Sequence, residues 1–209
     1  MYCSQQFSST NKPRKNELEQ TIAGFIKYTT NASRRAEGLS IVSLVGPNLK
    51  KHVDNYSSLL GKVGTLHSVE RDPCVFESQL RKSKRIKGSY RLHHGNYWDV
   101  LNNLLEEHKL RNQAVYIDFD ACCQLDTLVK ENMNSIRESI CLLTHYQKVV
   151  WVSITHTLRT RRKFNNDSIV NQFTDAWLES QKWQLSFKFN MPYRDGAPMN
   201  TVLMKFEQK

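Results

Sequence analysis

The chain has 209 residues, of which 39% are hydrophobic and 24% are charged, a composition typical of one folded domain with a buried core. No apolar run approaches the roughly 20 residues of a membrane-spanning helix, and residues 1–15 lack the apolar core of a signal peptide. The formal net charge of +10 favours a polyanion, so nucleic acid is the expected partner. Five cysteines without a C-x-x-C pair indicate reduced thiols and predict a cytoplasmic protein.

The beginning of the chain predicts a tail followed by a helix. Residues 1–15 are rich in Ser, Gln, Asn and Lys and are expected to form a mobile basic tail. Apolar residues then recur at helical spacing: Leu18, Ile22, Phe25 and Ile26. Residues 16–38 are therefore expected to hold a leading helix, ending near Thr29, and a connection to a domain that covers residues 39–209.

The domain begins with five apolar runs: Leu39–Val45, Gly64–Val69, Ser89–His93, Ala114–Asp120 and Lys148–Thr155. A helical stretch follows each run. The stretches lie at about Lys50–Leu60, Val75–Ile86 and Trp98–Glu107, then in a long helix that follows the fourth run and extends through Leu142, and last at about Ser168–Ser180. Strands joined through helices require right-handed crossovers, so this alternation predicts a doubly wound, mostly parallel sheet flanked by helices.

The last part of the chain differs from this pattern. Two strand-like runs, Trp183–Met191 and Pro198–Phe206, are joined by a segment that contains the Asp-Gly pair Asp195-Gly196. This pair between extended runs indicates a hairpin. The fold class is therefore predicted as α/β, with a seven-stranded sheet that closes with a C-terminal antiparallel hairpin.

In an open α/β sheet, ligands bind beyond the carboxyl ends of the strands, where the strand order reverses. Glu70 ends the second predicted strand, 24 residues after Gly46, and a carboxylate there can accept both hydroxyl hydrogens of a ribose. Gly46 would let a ligand approach the backbone closely. The full G-x-G-x-x-G pattern is absent, which argues against a dinucleotide but not against a cofactor without phosphates.

The order of these features resembles the class I, Rossmann-like S-adenosylmethionine-dependent methyltransferases, of which the chain would be a divergent member. The four segments that carry the resemblance are Ile41–Pro47, His67–Asp72, Leu92–Leu101 and Val115–Asp120. The final hairpin looks like that family's antiparallel sixth and seventh strands. The sequence has one glycine in the first motif, and lacks both the Asn/Asp-Pro-Pro-Tyr/Phe motif of amino-methylating DNA enzymes and the Pro-Cys of cytosine-methylating ones.

The resemblance implies S-adenosylmethionine as cofactor. In the family, the residue that matches Glu70 holds the ribose, the loop that matches Gly46 passes the amino-acid portion, and an Asp or Asn near the adenine matches Asn96. The implied cofactor contacts are Val45, Gly46, Pro47, Glu70, Arg71, Asn96, Tyr97 and Asp118.

The resemblance also implies where the reaction takes place. The family's fourth motif, which matches Asp118–Asp120, faces the methyl group and the substrate. Asp118 and Asp120 are therefore the expected catalytic residues, with Asp118 orienting or deprotonating an acceptor nitrogen or oxygen, and Phe119 is expected to contact the substrate.

The Asp118–Asp120 pair has two other interpretations. A D-x-D pair of hard oxygen ligands could bind Mg²⁺, as in phosphatases of the haloacid dehalogenase type, although those begin their domain with this strand. Asp120 could instead cap the helix that follows. We predict no metal site.

Two basic clusters are expected at different edges of the sheet. Arg159, Arg161, Arg162 and Lys163 follow the fifth strand, so they are expected at the edge of the site and could hold a polyanionic substrate there. The segment Arg81–Lys87 lies on the helix that leads into the third strand. It is therefore expected nearer the opposite edge, where a solvated surface is its simplest interpretation.

The leading hypothesis is a methyltransferase that acts on nucleic acid, either DNA or RNA. Methyl transfer needs in-line placement of the nucleophile and the sulfonium more than it needs a strong acid or base. The alternative, motivated by the reduced first motif, is a methyltransferase-like protein that binds nucleic acid or a partner without catalysis. A nicotinamide-dependent enzyme is disfavoured by the missing glycines, and the oligomeric state stays open.

Overall fold

The structure, a computed structural model, describes residues 13–30, 38–107, 109–110, 114–120, 125–158, 166–195 and 197–209. Its seven strands are β1 (Leu39–Ser43), β2 (Leu66–Glu70), β3 (Tyr90–His94), β4 (Ala114–Asp120), β5 (Val149–Thr157), β6 (Trp183–Asp195) and β7 (Ala197–Gln208). They form one sheet in the order β3-β2-β1-β4-β5-β7-β6. β1 to β5 are parallel, and β7 pairs antiparallel with both β5 and β6. The predicted fold class is confirmed.

Six helices among the described residues cover the sheet: α1 (Pro13–Thr29), α2 (Leu49–Leu60), α3 (Pro73–Ser83), α4 (Tyr97–Glu106), α5 (Leu125–Tyr146) and α6 (Asn166–Glu179). The apolar residues of α1 and α2 pack in one core on one face of the sheet. Those of α4, α5 and α6 pack in a second core on the other face. Both faces of the central strands are therefore buried, which explains why their sequences are almost continuously apolar.

Strand β4 shows how the two cores are divided. Its side chains alternate between the faces, as strand geometry requires. Val115, Ile117 and Phe119 pack in the core of α4, α5 and α6, whereas Tyr116 packs in the core of α1 and α2. Asp118 shares the face of Tyr116, so the first predicted catalytic carboxylate lies under α1 and α2.

Helix α1 begins at Pro13 rather than near Asn16. Its apolar stripe, which includes Ile22 and Ile26, is buried, and the ring of Phe25 stacks on Phe187 with 5.0 Å between centroids. Helix α1 thus covers the sheet as far as strand β6.

A polar network adds to the contact between α1 and α2. The Glu19 carboxylate accepts a 2.7 Å hydrogen bond from Asn55 and lies 3.3 Å from Nδ1 of His52. Burial alone would raise the pKa of Glu19, but the neighbouring His52, Lys15 and Asn55 together lower it. The buried carboxylate is therefore compensated by partners on both helices.

The C-terminal hairpin is tighter than the sequence predicts. Strand β6 continues to Asp195 and β7 begins at Ala197, so both strands extend into the segment expected to be the turn. None of the helices that the structure describes is long and apolar enough to cross a membrane.

Candidate functional site

A cavity of about 190 Å³ lies at the carboxyl ends of the parallel strands. Its lining is Leu44, Glu70, Arg71, Gly95, Asn96, Tyr97, Trp98, Phe119, Asp120 and Asn132. These residues follow or end β1, β2, β3 and β4, with Asn132 on α5. The chain reverses its direction of strand addition between β1 and β4, so the cavity lies where open α/β sheets bind their ligands.

Glu70 is the last residue of β2 and is partly exposed at this cavity. Its Oε1 accepts a 2.8 Å hydrogen bond from the backbone N–H of Asp72, and burial raises the pKa of its carboxyl group. Asp72 in turn caps α3 by accepting from the N–H of Cys74 at 2.8 Å. Among the described residues no side chain donates to Glu70, so its carboxylate keeps acceptor capacity for a ligand.

The turn after β3 brings one side of the cavity into place. Asn96 caps α4 by accepting from the N–H of Trp98 at 3.0 Å, and its amide group donates to Asn132 at 3.2 Å. Tyr97 is 5% exposed and donates its hydroxyl to the carbonyl of Val42 at 2.7 Å. Both predicted cofactor contacts line the cavity, but their polar groups are engaged with the fold.

Aromatic rings form the apolar side of the cavity. The Phe119 ring lies 5.1 Å from that of Tyr97 and 5.2 Å from that of Trp98, measured between centroids. Trp98 is 3% exposed, and within the described part of the chain its indole Nε1 has no hydrogen-bond partner. A buried indole N–H usually finds an acceptor, but this nitrogen has almost no surface through which a ligand could reach it, so Trp98 contributes its ring to the cavity wall.

Asp118 has a different environment. It is 7% exposed, and its carboxylate accepts 2.7 Å hydrogen bonds from the hydroxyls of Ser43, Tyr56 and Ser153. Ser43, Asp118 and Ser153 lie opposite one another on β1, β4 and β5. Because Ser153 gives its proton to Asp118, the hydroxyl of Tyr116, at 2.8 Å, must donate to Ser153.

This row of polar side chains fixes three strands in register. Burial raises the pKa of Asp118, although the Ser153 and Ser43 hydroxyls oppose that effect. The carboxylate has little acceptor capacity left for a substrate, so its geometry favours a positioning role, and its catalytic role stays a prediction. The sequence signal for the row was two serines, Ser43 and Ser153, inside otherwise apolar strands.

Asp120 lies at the cavity, beside Lys15. Its carboxylate is ion-paired with Lys15 of α1, and both side chains are largely buried. The backbone N–H of Lys15 also donates to Asp195 at 2.7 Å. The first turn of α1 therefore connects the end of β4 to the tip of the C-terminal hairpin.

The loop after β1 holds the other predicted cofactor contacts. Val45 is buried in the core of α1 and α2, while Gly46 has φ of 63°, a left-handed conformation that favours glycine, and a Cβ there would meet open space. The carbonyl of Gly46 accepts a hydrogen bond from Gln79 of α3. Pro47 is partly exposed, and it lines a different cavity.

The two basic clusters have different outcomes. Arg159, Arg161, Arg162 and Lys163 lie outside the described residues. The placement of Arg81–Lys87 nearer the opposite edge is wrong for its first residues, because Lys82 Nζ donates to the carbonyl of Pro47 at 3.2 Å. The left-handed turn at Gly46 and its bond to Gln79 bring the loop after β1 against α3, which the sequence did not indicate.

Comparisons with known proteins identify the fold. No protein-family model matches the sequence, and no curated protein matches it. The structure is similar to M. jannaschii TYW2 in complex with AdoMet, with 10% identity, a TM-score of 0.57, and 97% of this chain and 78% of that chain covered.

Two further solved structures agree. A putative rRNA-methylase from Clostridium thermocellum has 13% identity and a TM-score of 0.52, with 90% of this chain and 93% of that chain covered. M. capricolum TrmK in complex with S-adenosyl-homocysteine has 8% identity and a TM-score of 0.52, with 90% and 68% covered. The chain therefore has the fold of the class I S-adenosylmethionine-dependent methyltransferases, in a divergent form.

Proposed function

We propose that the protein is an S-adenosylmethionine-dependent methyltransferase that acts on nucleic acid. The observation that carries the proposal is the cavity at the strand-order reversal, where Glu70 presents a carboxylate that no described side chain occupies. A carboxylate at the end of the second strand of such a sheet is suited to the two hydroxyls of a ribose.

The residues around the cavity fit the adenosine portion of this cofactor. Glu70 would accept from the ribose, the ring of Tyr97 would pack on the adenine, and Trp98 would complete the apolar wall beside it. The side chain of Asn96 is already hydrogen-bonded to Trp98 of α4 and Asn132 of α5, so it would contact the cofactor through van der Waals packing. The cavity of about 190 Å³ is smaller than a typical pocket of roughly 300–1,000 Å³, which suits part of the cofactor rather than all of it.

The remaining contacts would come from the neighbouring loops. Backbone at Val45, Gly46 and Pro47 would approach the amino-acid portion, because the left-handed Gly46 leaves open space there. Arg71, which lines the cavity and is exposed, would reach the rim of the cofactor. When bound, the cofactor supplies a methyl group on a sulfonium, ready for transfer to a nucleophile placed in line.

The acceptor side would be built from the end of β4. Asp120 lies on the cavity and could orient an acceptor N–H or O–H, with Lys15 holding the carboxylate in place. Asp118 would act beneath it as a positioning residue, since its three hydroxyl donors fix β1, β4 and β5. Phe119 would stack on a target base, and Arg159, Arg161, Arg162 and Lys163 would contact its phosphates.

Nucleic acid as the substrate is supported by charge. The net charge of +10 gives long-range attraction to polyanions. Fibrillarin, described as a pre-rRNA processing protein, and the putative rRNA-methylase are among the proteins with the same fold. A cytoplasmic location belongs to the same proposal and is supported by the cysteine pattern.

Isothermal titration calorimetry with S-adenosylmethionine and S-adenosylhomocysteine tests the proposal. We expect both to bind, and Glu70→Ala to weaken binding about 10- to 100-fold, the value of hydrogen bonds to a charged group. Glu77→Ala, which removes an exposed acid on the neighbouring helix α3, is the matched control and should bind like the wild type. No binding at millimolar ligand would contradict the proposal.

A second candidate function is nucleic-acid or partner binding without catalysis. It is favoured by one observation, that both carboxylates of the fourth motif are engaged, Asp118 by hydroxyls and Asp120 by Lys15. Transfer of labelled methyl groups from S-adenosylmethionine to mixed RNA and DNA separates the two functions. Cofactor binding with no transfer would favour the second.

A further inference from the structure

A second cavity, of about 440 Å³, opens between the loop after β1 and the end of α3. We call it the basic cleft and define it by Pro47, Lys50, Arg81, Lys82 and Arg85. It shares no lining residue with the cavity at Glu70, and it has more than twice the volume. The basic cleft is therefore a separate feature of the surface.

The lining of the basic cleft has one sign of charge. Four of its residues are cationic, and no Asp or Glu lines it. Lys50 is paired with Asp54 at 2.6 Å, and both are exposed, but within the described part of the chain Arg81 and Arg85 form no ion pair. Such a concentration of exposed positive charge without compensating carboxylates attracts anions.

Hydrogen bonds connect the walls of the basic cleft and close the turn that carries Arg85. Lys82 Nζ donates to the carbonyl of Pro47 at 3.2 Å, which ties one wall to the other. Arg85 follows α3 in a turn closed by its own N–H on the carbonyl of Lys82 at 3.1 Å. Arg81 and Arg85 are thus presented from a constrained backbone, and guanidinium groups bind phosphate oxygens through paired donors.

We propose that the basic cleft binds the phosphodiester backbone of the nucleic acid, an inference that rests on the proposed function for the identity of the polyanion. A concave site with several exposed cations suits a chain of successive phosphates, whereas an anionic membrane would call for a flat or protruding basic surface. Contacts of this kind position a nucleic acid and carry no sequence information.

Helix α3 connects the basic cleft to the loop after β1 through two hydrogen bonds. Gln79, one turn before Lys82, donates to the carbonyl of Gly46, and Lys82 donates to that of Pro47. Both carbonyls belong to the loop that is proposed to lie beside the amino-acid portion of the cofactor. A strand of nucleic acid in the basic cleft would therefore lie against the same loop that borders the cofactor.

Fluorescence anisotropy with labelled single-stranded RNA and DNA of one sequence, over a series of salt concentrations, tests the inference on the full chain. The cleft variant is R81Q/R85Q, and the control variant is K27Q/K182Q. The control removes two exposed cations far from the basic cleft: Lys27 is in the last turn of α1 and Lys182 directly precedes β6. Both variants lower the net charge equally, and all four positions are exposed, so the melting temperature should stay that of the wild type.

We expect the cleft variant to lose about tenfold or more in affinity and to reduce the slope of log K against log salt by about 1.4, from two lost contacts with a single strand. The control variant should stay within about twofold of the wild type. A third variant, R81K/R85K, keeps the charge and should retain the salt slope.

Three outcomes would overturn the inference. They are a cleft variant that binds like the wild type, an equal loss in the cleft and control variants, and binding to phosphatidylserine vesicles without binding to nucleic acid. S-adenosylhomocysteine affinity is measured in parallel. If the wild type binds no cofactor while the cleft variant still loses nucleic acid, the proposed function fails and the basic cleft stands.

Discussion

Glu70 and Asp118 are two carboxylates of the same edge of the sheet with opposite surroundings. Burial raises the pKa of each. Asp118 accepts from three hydroxyls and is 7% exposed, whereas Glu70 accepts from backbone N–H groups and faces a cavity. Two acids near the ends of neighbouring strands can therefore differ in use: the oxygens of Asp118 are occupied by the fold, and those of Glu70 keep capacity for a ligand.

Removing the Asp118 carboxylate should produce the largest effect. Asp118→Ala leaves three buried hydroxyls without their acceptor, and we expect the free energy of unfolding to fall by about 3 kcal/mol or more. Urea unfolding measures it, with Asp175→Ala, an exposed acid on α6, as the control within about 0.5 kcal/mol. A loss below about 1 kcal/mol would contradict the structural role of Asp118.

Glu70 should affect ligand binding rather than folding, and its effect should depend on pH. A ribose hydroxyl donates to the ionised carboxyl, so S-adenosylhomocysteine affinity should be full at neutral pH. It should fall by up to about tenfold per pH unit below the pKa of Glu70, with a midpoint above the ordinary 4.5 because burial raises that pKa. Calorimetry across pH measures it, and Glu70→Gln should flatten the profile. A wild-type profile that is already flat would contradict the ribose contact.

A smaller change tests how far Asp118 depends on each donor. Tyr56→Phe removes one hydroxyl from the carboxylate and keeps the ring, which is fully buried. Loss of a hydrogen bond to a charged group predicts a decrease of about 2 kcal/mol in the free energy of unfolding. Thermal and urea unfolding should agree, and cofactor affinity should not change. A change in cofactor affinity would mean that the position of Asp118 affects cofactor binding.

Lowering the pH should change the free energy of unfolding in opposite directions through His67 of β2 and Asp118 of β4. His67 of β2 stacks on His93, with 3.1 Å between ring nitrogens, and burial and its neighbours lower the pKa of His67 to about 3. The unfolded chain binds a proton near pH 6.5 that the folded chain does not. Stability should therefore fall by about 1.4 kcal/mol between pH 7.5 and 5.5 for this group.

Asp118 acts in the other direction. Its raised pKa means that the folded chain takes up a proton before the unfolded chain does, so its contribution to stability increases as the pH falls. Urea unfolding at both pH values measures the balance, and His67→Asn should remove most of the loss. A His67→Asn variant that loses as much stability as the wild type between pH 7.5 and 5.5 would contradict the neutral burial of His67.

The sequence was sufficient for the fold because its signals were local. Apolar runs that alternate with helices predicted the first five strands, and the Asp-Gly pair between two extended runs predicted the last two. β4 was predicted with its observed bounds. The hairpin was longer than predicted because Pro192 suggested the start of a loop and Pro198 the first residue of the second run. Each lies within an extended strand in the structure, β6 being the edge strand where proline is tolerated.

The candidate site was predicted only in part because its decisive contacts are not local. Glu70, Asn96 and Tyr97 could be placed from strand ends, and the cavity brings them together. The donors to Asp118 come from positions 35 to 75 residues away, and no spacing rule connects them. The placement of Lys82 beside Pro47 likewise depends on the backbone conformation of Gly46.

The row of Ser43, Asp118 and Ser153 has a consequence for synthesis of the chain. β4 lies in the middle of the sheet, but it is followed along the chain by α5 before β5 can pair with it. Until Ser153 has left the ribosome, Asp118 lacks one donor and the carboxylate must keep water beside it. We therefore expect the polar row to be completed only when the fifth strand pairs with the fourth.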